Sequence, residues 1–407
     1  MKHSFTDRSC ARVAGLGKGH LFPRLALASS AFLFVSCGSF ELEQELVGTP
    51  AAESGGRAIA LGKSLAAVGV GSGSVDSPFA VDVFERNRRG GWSFVQRLTA
   101  SADDRGRFGT ALALHGNTLV VGAPENDDSG TPEVETGYVA VFERGAGGFV
   151  RTHTVLPESF TLPPGETTPG EFSFGASVSL DEQHLAVGAK RFHGGRGRVF
   201  VFDRSDYSQQ VELAEPAALE RFDANFGDTV QLSHGTLLVT RPDTPANTPP
   251  PKNGKVYVYT SADGFATAEV LQSVTADGSF DGFGNAGTIF GGTIAVRDEL
   301  GVQLFERSAG AWQPLAQIAT GDGDRFSIAL DAEHLFVGEP DATVAGLAGA
   351  GQVLVFDRSD VPPTLETTLR APAPEAGLGF GEQVAVALRT LGVTTGDFEQ
   401  AFVFRRN

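Results

Sequence analysis

Past residue 55 the apolar residues recur with a period of two rather than 3.6. Ala111-Leu112-Ala113-Leu114, Leu119-Val120-Val121-Gly122-Ala123-Pro124 and Tyr138-Val139-Ala140-Val141-Phe142 are three successive examples. Each stretch is short and bounded by Gly, Pro, Asn or Asp, a pattern that predicts β-hairpins and no long helix.

The same triplet returns along the chain. It opens on Phe108-Gly109, Phe174-Gly175, Phe226-Gly227, Phe283-Gly284, Phe326-Ser327 and Phe380-Gly381, with Gly55-Gly56 in a weaker first copy. It closes on segments such as Val139-Ala140-Val141-Phe142-Glu143-Arg144 and Val353-Leu354-Val355-Phe356-Asp357-Arg358. Seven units result, with a mean step of about 54 residues, the spacing of a propeller or solenoid array. A fourth stretch follows each of six triplets: Trp92 to Leu98, Phe149 to Leu156, Gln209 to Leu213, Thr267 to Leu271, Trp312 to Ile318 and Leu365 to Leu369. Four-stranded antiparallel units repeated around an axis make an all-β, seven-bladed β-propeller. The seventh triplet ends the chain without its fourth stretch. Residues 42–47, Leu-Glu-Gln-Glu-Leu-Val, resemble Leu365-Glu366-Thr367-Thr368-Leu369-Arg370 and are expected to supply it, closing the ring as the outer strand of the last blade.

Phe108-Gly109 followed by Val121-Gly122-Ala123-Pro124 resembles the FG-GAP repeat, the unit of the integrin α-subunit propeller and of many bacterial extracellular proteins. The resemblance covers about residues 42–407 and is clearest in units two, three and six. In many relatives the first hairpin of a blade holds an Asp-x-Asp-x-Asp-Gly calcium loop. Here those hairpins read His115-Gly116-Asn117, Asp181-Glu182-Gln183-His184, Ser233-His234-Gly235, Phe290-Gly291-Gly292 and Asp331-Ala332-Glu333-His334. None supplies the six to eight oxygens that Ca²⁺ prefers, so no cofactor is expected.

The N-terminus has a different character. Lys2, Arg8, Arg12, Lys18 and Arg24 precede an apolar run from Leu25 to Val35, and Ser36-Cys37-Gly38-Ser39 follows. A basic segment, a short apolar run and small residues make an export signal over residues 1–36. The run is too short to span a bilayer, which takes about 20 residues. Phe34-Val35-Ser36-Cys37 resembles the bacterial lipobox, which implies acylation of Cys37, a tether over 37–41 and a propeller over 42–407. Gly38 stands where an Asp signals inner-membrane retention, so the resemblance implies the outer membrane or cell surface. Loss of the signal removes five basic residues and one acid, taking the net charge from −17 to −21. A chain this acidic lacks the basic footprint of a nucleic-acid binder. Cys10 falls in the signal, so the two cysteines make no disulfide scaffold. The mature chain is expected to be a monomer.

Composition agrees with the pattern. Gly and Pro number 52 and 21, punctuation for many short strands, while apolar residues at 41% suffice for a core. Chemical motifs are scarce. Gly56 with Gly62-Lys63-Ser64 imitates a phosphate loop but falls in a strand-to-strand turn, where no helix N-terminus can cradle phosphate. His115, His184, His234 and His334 occupy one hairpin in different blades, so a shared metal or catalytic centre is not expected. No nucleophile elbow or zinc-binding His pair occurs. The recurrent Phe residues are expected to pack between blades, and Arg86, Arg144, Arg204, Arg307 and Arg358 to form surface ion pairs.

The connections from second to third strand and between blades vary most in length, and an antiparallel blade sends both sets to one face. Long loops on a rigid scaffold are where binding sites concentrate. The acids there are the candidate ligand-face residues: Glu125, Asp127, Asp128, Asp277, Asp281, Asp322 and Asp324. Cys37 lies about five residues, a reach of about 17 Å, before the closing strand, so the opposite face is expected to lie near the membrane. The expectation is a lipid-anchored surface module, not an enzyme, that binds a protein or glycan partner or serves as a scaffold. The alternative is an extracellular enzyme acting on polysaccharide through the loop carboxylates.

Overall fold

The alternating stretches form 28 strands in seven four-stranded antiparallel sheets. The computed structural model of the chain describes residues 40–47, 55–71, 79–100, 107–124, 136–158, 172–215, 224–242, 254–272, 282–298, 300–321, 325–396 and 400–406. Blade 2 shows the plan, with strands a to d at Ala111–His115, Thr118–Ala123, Tyr138–Gly145 and Gly148–Val155. The a strands of all seven blades line one axial channel.

The last blade takes its d strand from the other end of the chain. Phe40–Glu45 pairs antiparallel with Ala401–Arg406, outside Thr390–Thr394 and Val384–Ala387. The strand begins two residues earlier than its sequence likeness predicts, because Phe40 has a buried seat. Its ring packs edge-on against His334 and Phe336 of blade 6, with centroids 5.3 and 5.4 Å away. Leu46, just past the strand, is buried against blade 1. Eight closing residues therefore touch three blades.

Strands b and c carry unbroken apolar runs because neighbouring blades cover both of their faces. The core is accordingly seven clusters, one between each pair of adjacent blades. Phe108, Phe174, Phe226, Phe283 and Phe380 are all buried in these seams, as expected.

The glycines of the motif explain how closely blades approach. Gly109, Gly175, Gly227 and Gly381 have φ between +87° and +101°, a region that favours glycine. Gly69, Gly122, Gly188 and Gly338 lie in strand b of the preceding blades. A Cβ on any of the four would collide with the carbonyl oxygen of Gly109, Gly175, Gly227 or Gly381, respectively. The two halves of the repeat thus touch each other across a blade boundary. Blade 5 has Arg297 at the strand-b position, and blade 6 opens on Phe326-Ser327 instead of Phe-Gly. There Phe326 is only half-buried, and the Arg297 guanidinium lies 3.7 Å from its ring centre.

Connections follow the expected division with two exceptions. The a–b turns are all tight, among them 116–117, 234–235 and 331–333, and Gly62-Lys63-Ser64 is one of them. The strand ends that bound the b–c connections 124–137, 242–254 and 340–351 lie on the opposite face, but in blade 5 only two residues separate strands b and c. The c–d connection of blade 4 is long, 261–268, and holds a 3₁₀ turn at Ser261–Asp263. Its d strand is therefore only Glu269–Leu271, shorter than the Thr267–Leu271 expected.

Candidate functional site

The channel runs through the middle of the ring, with a volume of about 380 Å³. Its wall is made by side chains such as Ile59, Leu114, Val178, Leu232, Ile328 and Val386, with Ser179, Thr229, Gln231, Thr288 and Gln383 as its polar members. Among the described residues the wall carries no charged side chain.

Charge collects instead on the face of the long connections, at the seams between blades. Glu215 is buried just after strand d of blade 3, and it accepts a hydrogen bond of 2.7 Å from the Tyr257 hydroxyl of blade 4. Arg241, also buried, is 3.2 Å from the same carboxylate oxygen. Burial, the hydrogen bond and the Glu215 charge together push the Tyr257 hydroxyl far above its ordinary range. Asp298 accepts hydrogen bonds from Gln303 and Gln317 at the end of blade 5. Glu339 of blade 6 accepts from Gly321 N at 2.6 Å and from Gln352 at 2.8 Å. Arg325 joins Asp341 at 2.6 Å to Glu382 of blade 7 at 2.9 Å. Burial raises the Glu382 carboxyl, against the pull of Arg325. A cavity of about 180 Å³ opens beside this last network, between Gly321, Arg325, Glu339 and Asp341. Each of these carboxylates is thus engaged, Asp298 within its own blade, Glu215 and Glu382 in ties from one blade to the next.

The seven ligand-face candidates, Glu125, Asp127, Asp128, Asp277, Asp281, Asp322 and Asp324, lie outside the described residues, as does Cys37. In the chain, Asp322 and Asp324 fall between Gly321 and Arg325, two residues of the rim just described. Among the described residues no three His, Cys, Asp or Glu side chains are grouped to hold a metal ion.

On the short-turn face two hairpins repeat one arrangement. Asp181 Oδ1 accepts the backbone N–H groups of Gln183 and His184, and Asp331 Oδ1 those of Glu333 and His334. Each histidine ring then meets an aromatic of the following blade edge-on: Phe265 for His184, Phe40 for His334. Burial pushes the Asp181 carboxyl up, but N–H donors from Gln183, His184 and Gly235 outweigh it and hold it below the ordinary range. His334 Nε2 is 3.1 Å from Glu366 and Nδ1 is 3.4 Å from Asp331. Burial alone would lower the His334 pKa. The carboxylates of Asp331, Glu366 and Asp357 prevail and raise it.

The recurrent arginines need a correction. Arg86 pairs with Glu43 and Arg144 with Glu85, each tie crossing to the neighbouring blade. Arg204 and Arg358 are not surface ion pairs at all. Arg204 donates to the Asp181 carbonyl at 2.7 Å and to Thr118 Oγ1 of blade 2 at 2.6 Å. Arg358 does the same with the Asp331 carbonyl and Thr293 of blade 5. Arg307 has a different environment, described below.

One set of ties escaped the sequence reading. A Gln or Glu in strand d bonds to the backbone of the first or second d residue in the next blade. Gln44 holds both N–H and C=O of Trp92, Gln96 holds both of Phe149, and Glu269 accepts the N–H of Trp312. Superposing the outer stretches on one another would have revealed the recurring Gln/Gln/Glu.

Seven antiparallel blades, joined by side-chain ties and at four seams by glycine contacts, define a closed seven-bladed β-propeller. The family model of the FG-GAP repeat matches residues 92–142. That span covers strand d of blade 1 and strands a, b and c of blade 2. The matched repeat is thus offset from the blade. No curated protein matches the chain.

Proposed function

We propose that this protein is an exported, lipid-anchored propeller of the outer membrane or cell surface that binds a protein or glycan partner, as an adhesion or scaffold module. The reading is carried by one observation: a rigid ring sends its long connections, apart from 261–268 in blade 4, to a single face. FG-GAP propellers commonly serve as binding or adhesion modules, and the match over 92–142 supports that class. The acids Glu125, Asp127, Asp128, Asp277, Asp281, Asp322 and Asp324 would provide polar contacts on that face. Cys37, acylated, would hold the short-turn face towards the membrane; stable anchoring needs two or more acyl chains.

Two measurements test the reading. Palmitate labelling should be present in the native protein and lost in Cys37→Ala; labelling that persists refutes the anchor. A glycan-array and surface-extract binding screen should return a partner whose binding weakens in the Asp127→Ala, Asp128→Ala double variant. A partner indifferent to every substitution on the long-connection face would refute the assignment of that face.

A further inference from the structure

The chain has two tryptophans, and they occupy the same place in blades 1 and 5. In blade 1, Arg86 ends strand c and Trp92 begins strand d, opposite each other in the ladder. Arg307 and Trp312 stand in the same register in blade 5. Gln44 accepts the Trp92 N–H as Glu269 accepts that of Trp312, which makes Gln44 and Glu269 equivalent and sets Glu43 against Ala268.

The difference lies at that last pair. In blade 1 the Glu43 carboxylate pairs with Arg86 and accepts the Trp92 indole N–H at 3.1 Å. In blade 5 the equivalent residue is alanine. Trp312 is buried, and its Nε1 has no hydrogen-bond partner. Arg307 is exposed, lies 5.8 Å from the indole centre and pairs with no carboxylate among the described residues. A groove of about 360 Å³ opens there, lined by Tyr259, Thr267, Ala268, Glu269, Arg307 and Trp312. An arginine and an unsatisfied indole donor thus stand in the strand register that seats a carboxylate between blades 7 and 1.

We propose that the groove between blades 4 and 5 is a binding site for a carboxylate-bearing ligand, with Arg307 and the Trp312 indole N–H as its two donors. The site is separate from the long-connection face, since the ends of strand c and the c–d turns leave on the other side of the ring. Trp312 Nε1 is shielded from water, so the ligand reaches it as the Arg307 side chain turns outward to take the second carboxylate oxygen. Charge-assisted bonds of this kind are the strong ones. Glu269 is the opposing neighbour. Its Oε1 is held by Trp312 N at 2.6 Å, and its charge weakens the site relative to a glutamine there.

The intact protein offers its own probe, because ¹⁵N-tryptophan labelling gives one indole N–H signal from a paired ring and one from an unpaired ring. Acetate, N-acetylglutamate and D-glucuronate are titrated in turn, with chloride as control. The expected result is a saturable downfield shift of the Trp312 signal while that of Trp92 stays in place. Whether N-acetylglutamate or glucuronate saturates first distinguishes an acidic peptide from a uronate. Arg307→Ala should weaken the response about tenfold or more, and Glu269→Gln should strengthen it. Ala268→Glu, supplying the carboxylate within the chain, should move the Trp312 signal to the bound position without ligand. No saturable shift with any of the three carboxylates, or an undiminished one in Arg307→Ala, overturns the proposal.

Discussion

At the scale of single residues, the two glycines of the repeat have distinct physical duties. Gly109 and its counterparts occupy positive φ, whereas Gly122 and its counterparts lie where the next blade's backbone leaves no room for a Cβ. Gly122→Ala should therefore cost at least about 1–3 kcal/mol, the usual range for overpacking, read as a lower midpoint in denaturant titration. Ala at Gly147, where φ is not positive and a Cβ would meet nothing within 4 Å, lacks this packing cost and serves as the control. His334 makes a pH-dependent contribution. Its pKa is raised in the folded state, so its stabilising effect is complete below the ordinary histidine value and is lost as pH rises through the raised one. The melting-temperature difference between the native protein and His334→Gln should be larger at pH 6 than at pH 9. An equal difference at both would show that the ring acts only through packing on Phe40 and Phe336. The sequence made the glycines visible but not the reason for them, since the contact joins residues 39 to 53 apart that only the ring brings together.

Among elements, the outer strands do more than finish each sheet. Through Gln44, Gln96 and Glu269 they hold the backbone of the next blade, and through Glu43 the closing strand also reaches Arg86 and Trp92. Replacing Gln44 by Ala removes both bonds to the Trp92 backbone and should speed amide exchange at Trp92, leaving the equivalent exchange at Phe149 unchanged. The strands themselves were legible in the alternation of apolar residues, and so was the closing of blade 7 from the far end of the chain. The start of that strand at Phe40 was not, because its cause is a pocket made by His334 and Phe336 in blade 6. Nor could the roles of Arg204 and Arg358 be read. A recurrent arginine after an apolar strand looks solvated until the neighbouring blade places a threonine hydroxyl within reach.

For the whole molecule, the ring explains the composition. Gly and Pro punctuate the strands, and most of the apolar content goes into the seven seams between blades. The channel wall is uncharged among the described residues, and the rim carboxylates are spent on ties, which directs the search for ligands to the long connections and to the groove at Arg307 and Trp312. The central claim is that residues 40–47 fasten this ring by touching blades 6, 7 and 1 together. Thermal unfolding of the protein lacking those residues tests it most directly. Loss of the buried Phe40 and Leu46 side chains and of the strand ladder predicts a midpoint about 5 °C or more below that of the intact protein. A midpoint unchanged by the deletion would contradict the closure.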